Sequence, residues 1–74
     1  MTEYTINTDA VSSTIDARNA DAACRGFAAY QGWKDIFDIR DLAEKVEGMD
    51  GWLVVTRDGV PAPLYSSAIG RVRF

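Results

Sequence analysis

Apolar residues recur at every second place near the start of the chain. In EYTINT, Tyr4 and Ile6 share one side, and the NTD that follows has turn chemistry, so a strand ended by a turn is expected. STIDAR, at 13 to 18, reads as a second extended run. The period then changes. Ala20, Ala23, Cys24, Phe27, Ala28 and Gln31 stand at i, i+3, i+4, i+7, i+8 and i+11, the stripe of a helix that Asn19 caps and Gly32 ends, running to about Tyr30. Trp33 to Ile39 includes DIFDI, which is β-branched and aromatic as well as acidic, so a short strand or extended entry is read there. Ile39, Leu42, Ala43 and Val46 draw a second helical stripe beginning at Asp38 or Asp41, with Gly48 placed as the left-handed residue that stops it.

GWLVVTRDGVPAPLY predicts a hairpin around an Asp58-Gly59 turn. Trp52 and Val54 alternate with Leu53 and Val55, so the first strand is apolar on both faces and is expected at the centre of the sheet. In the return strand, Pro61 and Pro63 remove two N–H groups from one side, which predicts a protected edge. The tail SSAIGRVRF alternates weakly and reads either as a last short strand or as a frayed end. IDARNA (15 to 20) and FDIRDL (37 to 42) echo one another before each helix, and two similar strand-to-helix joints would account for that. The expectation is a single α+β domain over residues 1 to 74: a small antiparallel sheet with two helices packed on it, in the order β-β-α-(β)-α-β-β.

Composition narrows the function more than it names one. With 74 residues and 47% hydrophobic side chains, the chain is long enough for one compact core and too apolar for disorder. Histidine is absent and Cys24 is the single cysteine, which leaves no Cys/His zinc site and no intrachain disulfide. Cys24, on the apolar stripe, reads as a small buried hydrophobe. No calcium-loop pattern and no glycine-rich phosphate loop occurs, and no histidine is present to serve a Ser or Cys nucleophile. No cofactor and no enzymatic activity are expected. The N-terminus lacks a secretory pattern and no apolar run approaches the ~20 residues of a membrane span, so a cytoplasmic protein with no membrane partner is expected.

The net charge of −3 is unevenly distributed. Residues 34 to 50 carry six acids (Asp35, Asp38, Asp41, Glu44, Glu47, Asp50) against Lys34, Arg40 and Lys45, whereas residues 51 to 74 carry Asp58 against Arg57, Arg71 and Arg73. No concentrated basic face is present, which argues against direct nucleic-acid binding. The six acids stand at every third position. At ~100° per residue they fall opposite the apolar stripe of the second helix, as on any solvated face. They also extend beyond both helix ends, and a ribbon of carboxylates can imitate nucleic-acid phosphates to a basic groove. Asp35, Asp38, Asp41, Glu44, Glu47 and Asp50 are therefore candidate partner-binding residues. Trp33, following a helix-ending glycine, is the candidate apolar anchor.

The opening strand YTINT, the run STIDARNADAACRGFAA, the acidic middle and the closing DGWLVVTRDG together resemble the very small phage-encoded anti-CRISPR proteins, in particular inhibitors of type I surveillance complexes. The resemblance is one of overall pattern and involves no diagnostic motif. It implies a non-enzymatic inhibitor that binds stoichiometrically to a Cas effector subunit or nuclease in the cytoplasm of a host bacterium and blocks DNA engagement. Two other readings stand beside it. One is a small phage or plasmid structural or assembly protein, as a monomer or as a homodimer packed through Ala22, Arg25, Gly26 and Ala29; the other is an antitoxin-like regulatory partner.

Overall fold

The computed structural model describes the backbone of residues 1–66 and 71–72 and the side chains of residues 1–60. Strands β1 (Thr2–Thr8) and β2 (Ser12–Ala17) precede helices α1 (Ala20–Gln31) and α2 (Ile39–Gly48), and β3 (Leu53–Arg57), β4 (Val60–Ser66) and β5 (Arg71–Val72) follow. All strand pairs are antiparallel, in the order β2-β1-β3-β4-β5. The fold is of the α+β class.

Alternation in the strands decides which side of the sheet the helices cover. Tyr4, Ile6, Ala17, Leu53 and Val55 are buried, and against them lie Ala20, Ala23, Cys24, Phe27 and Ala28 of α1 and Ile39, Leu42, Ala43 and Val46 of α2. Each large apolar side chain in this layer contributes about 1.5–3 kcal/mol by leaving water. The other side of the sheet is polar where β1 meets β2, with Thr5 and Thr14 paired across the strands and their hydroxyls 3.5 Å apart.

Cap chemistry fixes both helices. The Asn19 side chain accepts from Ala22 N–H (2.8 Å) and the Asp38 side chain from Asp41 N–H (2.7 Å). The N–H of Ile39, at the first position of α2, has no partner within its own helix and donates to Asp21 Oδ1 of α1 at 2.9 Å, while Arg25 Nη1 donates to the Phe37 carbonyl at 3.0 Å. Two side chains of α1 thus hold the start of α2. Because Ile39 is buried, Asp21→Ala strands its N–H and is expected to lower stability by about 1–3 kcal/mol, whereas Asp21→Asn keeps the acceptor oxygen and most of the stability. Urea unfolding of both variants checks this, and equal losses would assign the effect to charge.

Several expectations are corrected. Residues 33 to 38 form a loop with no strand, so the bracketed strand is absent: Ile36 is buried as a plug, and Phe37 is held by Arg25 and Asp41 through its carbonyl and N–H. Gly48 is the last residue of α2 and is not left-handed. The helix is closed by a Schellman motif in which Asp50 N–H donates to Glu47 and Gly51 N–H to Val46, both at 3.0 Å, with Asp50 in the left-handed conformation at φ 59°. β3 is central, as expected, but it is buried on one face only: Leu53 and Val55 are covered, while Val54 is half-buried and Trp52 is exposed. β4 is not an edge, since β5 pairs with it at Tyr65 and Ser66, beyond the two prolines. The short last strand is therefore present at Arg71–Val72, and the rest of the tail lies outside the described residues. The IDARNA and FDIRDL echo has no structural counterpart, because the cap is its fifth residue in one copy and its second in the other.

The Asp58-Gly59 turn has φ values of 53° and 70°, both positive as a type I′ hairpin requires. It is also tied to β1. Asp58 N–H donates to the Glu3 carbonyl at 2.6 Å and Asp58 Oδ1 accepts from Glu3 N–H at 3.2 Å, continuing the β1–β3 ladder through a side chain.

Candidate functional site

The six acids of residues 34 to 50 are not equivalent. Ten helical residues span about 15 Å, so the two ends of α2 lie farther apart than the ~8 Å over which salt leaves exposed charges coupled. The N-terminal pair is occupied in capping: Asp38 accepts from Asp41 N–H, and Asp41 Oδ2 accepts from Phe37 N–H at 3.0 Å, in a variant of the capping box. Asp35 is exposed in the preceding loop. Glu44, Glu47 and Asp50 are exposed along the C-terminal half of α2 and just past its end.

This second group is placed against local preference. Glu44 and Glu47 are three apart on one helix face, where like charges repel, and Glu47 and Asp50 adjoin the negative end of the helix macrodipole. Asp50 moreover holds a left-handed conformation that glycine adopts without strain. Each departure costs a few tenths to about 1 kcal/mol. Lys45 is the basic residue of the last turn, and its ammonium lies over the Trp33 ring, 5.5 Å from the centroid.

Tertiary structure adds a carboxylate that the acidic run does not contain. The β1–β2 turn, closed by Thr8 N–H donating to the Val11 carbonyl and by Ala10 and Val11 N–H donating to Thr8 Oγ1, carries Asp9 to the end of α2. A Cβ on Gly51 would stand 2.6 Å from Asp9 Oδ1 and 3.0 Å from Val46 Cγ1. Only glycine permits that approach, which brings Asp9 beside the residue that follows Asp50. Asp9 is 41 residues from Asp50 in sequence, and no local pattern links them.

Trp33 is not the exposed anchor that its place after Gly32 suggests. Trp33 N–H donates to the Ala28 carbonyl (2.9 Å) and Gly32 N–H to Ala29 (3.1 Å), a Schellman motif whose usual apolar contact is made here by Trp33 on Phe27, edge to face at 6.2 Å. The Gly-Trp pair with an aromatic residue six positions before the tryptophan is the sequence signal for this. The half-buried indole instead helps line a cavity of about 240 Å³ between the β1–β2 turn and the ends of both helices. Val11, Phe27, Val46 and Met49 supply apolar wall, and Asp9 and Gln31 supply polar groups.

Elsewhere the chemistry is quiet. Cys24 is buried, and desolvation, with smaller contributions from the charges of Asp21 and Asp38, pushes its thiol up to about 12. It is a packing residue with no accessible thiolate. Among the described residues no three Cys, Asp or Glu side chains gather as a metal site would require, and no helix is long and apolar enough to cross a membrane. Gly26 faces Ile15 of β2, where an added Cβ would stand 3.9 Å from Ile15 Cγ2, so part of the small-residue side of α1 is already packed on the sheet. Comparison with protein-family models, with curated proteins and with solved structures finds no match for this chain.

Proposed function

We propose that this chain is a non-enzymatic inhibitor that binds a basic surface of a nucleic-acid-handling protein through the carboxylates at the C-terminal end of α2. The observation that carries the reading is the placement of Glu44, Glu47 and Asp50. Glu47 and Asp50 lie where the helix end is already negative, Glu44 stands three residues before Glu47 on the same face, and Asp50 replaces the glycine that the backbone favours, so local preference does not account for these charges. A surface kept acidic at the expense of stability attracts Lys and Arg and speeds encounter with them. Asp38 and Asp41 leave the proposed interface because capping α2 accounts for them. Trp33 stays in it through the cavity it lines.

The resemblance to type I anti-CRISPR proteins supplies the partner class: a Cas effector subunit whose basic groove holds DNA, met in the cytoplasm of the host bacterium. The test is phage plating on bacteria that carry an active type I system targeting that phage. Expression of the chain is expected to restore plaques, and Glu44→Lys, Glu47→Lys and Asp50→Lys together are expected to abolish the effect while circular dichroism remains that of the wild type. A chain that restores no plaques against any type I subtype is not this kind of inhibitor. Restoration that survives the triple reversal removes the acidic end of α2 from the interface.

A further inference from the structure

We infer that the cavity between the β1–β2 turn and the ends of the helices is a socket for one arginine side chain of the partner. The inference rests on the reading of the chain as a binder of a basic surface and names what that surface inserts. Size comes first. At about 240 Å³ the cavity is smaller than the ~300–1,000 Å³ of small-molecule sites, and it suits a single side chain.

The wall chemistry then selects which side chain. Val11 and Met49 can cover an aliphatic stem, the half-buried Trp33 supplies aromatic surface above the buried Phe27 and Val46, and the acidic residue Asp9 is part of the lining. A purely apolar occupant would gain nothing from that exposed carboxylate. A cationic occupant pairs with it. Glu47 and Asp50, adjoining the lining residues Val46, Met49 and Gly51, add to the attraction. Lys45 is the opposing charge, and its ammonium is already engaged over the Trp33 ring.

Arginine satisfies these walls better than lysine. Its guanidinium is less strongly hydrated, so entering a partly enclosed space costs less, and its plane both stacks on an aromatic ring and presents two N–H groups to one carboxylate. Arginine is also among the residues that dominate binding when seated in a pocket. The arrangement depends on Gly51, because a side chain there would push Asp9 off the cavity.

The experiment uses the full ¹⁵N-labelled chain, titrated with N-acetyl-arginine-N-methylamide, the lysine analogue and the uncharged norleucine analogue. The arginine compound is expected to shift the Trp33 indole N–H and the Gly51 N–H along a saturable curve in the millimolar range, more tightly than lysine, with norleucine weakest. Asp9→Asn, at an exposed turn position, is expected to weaken the arginine compound roughly tenfold, the size of one lost charge-assisted hydrogen bond, while the rest of the spectrum is unchanged. Equal binding of norleucine, no effect of Asp9→Asn, or no shift at Trp33 and Gly51 overturns the socket. Should the socket fail while the triple reversal at Glu44, Glu47 and Asp50 still abolishes inhibition, the partner surface stands without it; if the reversal has no effect either, both readings fall.

Discussion

Truncation of Phe27 to Ala is expected to leave the chain largely unfolded at 25 °C. Phe27 is 1% exposed and, among the described residues, is the largest fully buried side chain, at the point where α1 faces the core layer and supports Trp33 edge to face. Removing a buried phenylalanine ring costs about 3–5 kcal/mol in lost transfer energy and residual cavity. A domain of this size rarely has more than ~3–5 kcal/mol from its core to lose. Collapse around the vacancy would be restricted, since Ala23, Cys24 and Ala28 beside it are too small to fill the space and the 240 Å³ cavity already adjoins Phe27. Phe27→Leu keeps most of the volume and should retain a cooperative transition. Far-UV circular dichroism with thermal melting separates the outcomes, and a cooperative melt for Phe27→Ala with less than about 1.5 kcal/mol lost would show that this part of the core repacks freely.

Stability is expected to fall steeply above pH 9 because of Cys24. Burial first, and then the charges of Asp21 and Asp38, raise the thiol from 9.0 to about 12. In the unfolded chain the thiol begins to ionise near 9.0, while in the folded chain it stays protonated until about 12. Between these values the unfolded state binds fewer protons than the native state, so stability decreases with rising pH, by about 1.4 kcal/mol per unit at most. Below pH 9 both states hold the proton and the contribution is constant. Over the full window the loss approaches about 4 kcal/mol, comparable with the whole stability of so small a domain. The informative quantity is the difference from Cys24→Ala, which cancels what the two chains share. That variant gives up some packing at pH 7.5 and should lose less than the wild type between pH 8.5 and 10.5, bringing the two urea midpoints together. Parallel midpoints across the range would mean that the native thiol ionises as easily as the unfolded one. Thiol reagents offer a second reading, with reaction expected to be slow in buffer and fast in urea.

Where a signal is carried by residues within one or two turns of each other, the sequence was sufficient. The strands around Tyr4 and Ile6, the helix opened by Asn19 and closed by Gly32, the helix opened by Asp38 and the Asp58-Gly59 hairpin all follow from side-chain period and cap or turn chemistry, which act over a few residues. Three expectations failed because distant partners outweighed the local pattern. DIFDI has β-branched and aromatic residues, yet Ile36 finds burial as a plug and Arg25 and Asp41 hold Phe37, so no neighbouring strand is needed. Trp52 and Val54 look as buried as Leu53 and Val55, yet both helices lie on one side of the sheet and only the second pair is covered. Gly48 looked like the left-handed residue that stops α2, but it is the last helical residue and the left-handed position falls at Asp50, which lets Gly51 come close to Val46.

The candidate site divides in the same way. An acid at every third position from Asp35 to Asp50 is legible in the string of letters, as is the net excess of charge over that stretch. Its division is not. Asp38 and Asp41 are drawn into capping by N–H groups that are brought within reach only once α2 has formed, while Glu44, Glu47 and Asp50 stand exposed beyond them. Asp9 joins them, and the cavity opens beside Trp33, only because the sheet pairs β1 with β3 and so brings a turn from the start of the chain against the end of α2. Sequence by itself determined the elements and the sign of the charge, because those depend on neighbours a few residues apart. Tertiary structure decided which charges remain free and what stands next to them, because that depends on contacts between segments that period and propensity do not encode.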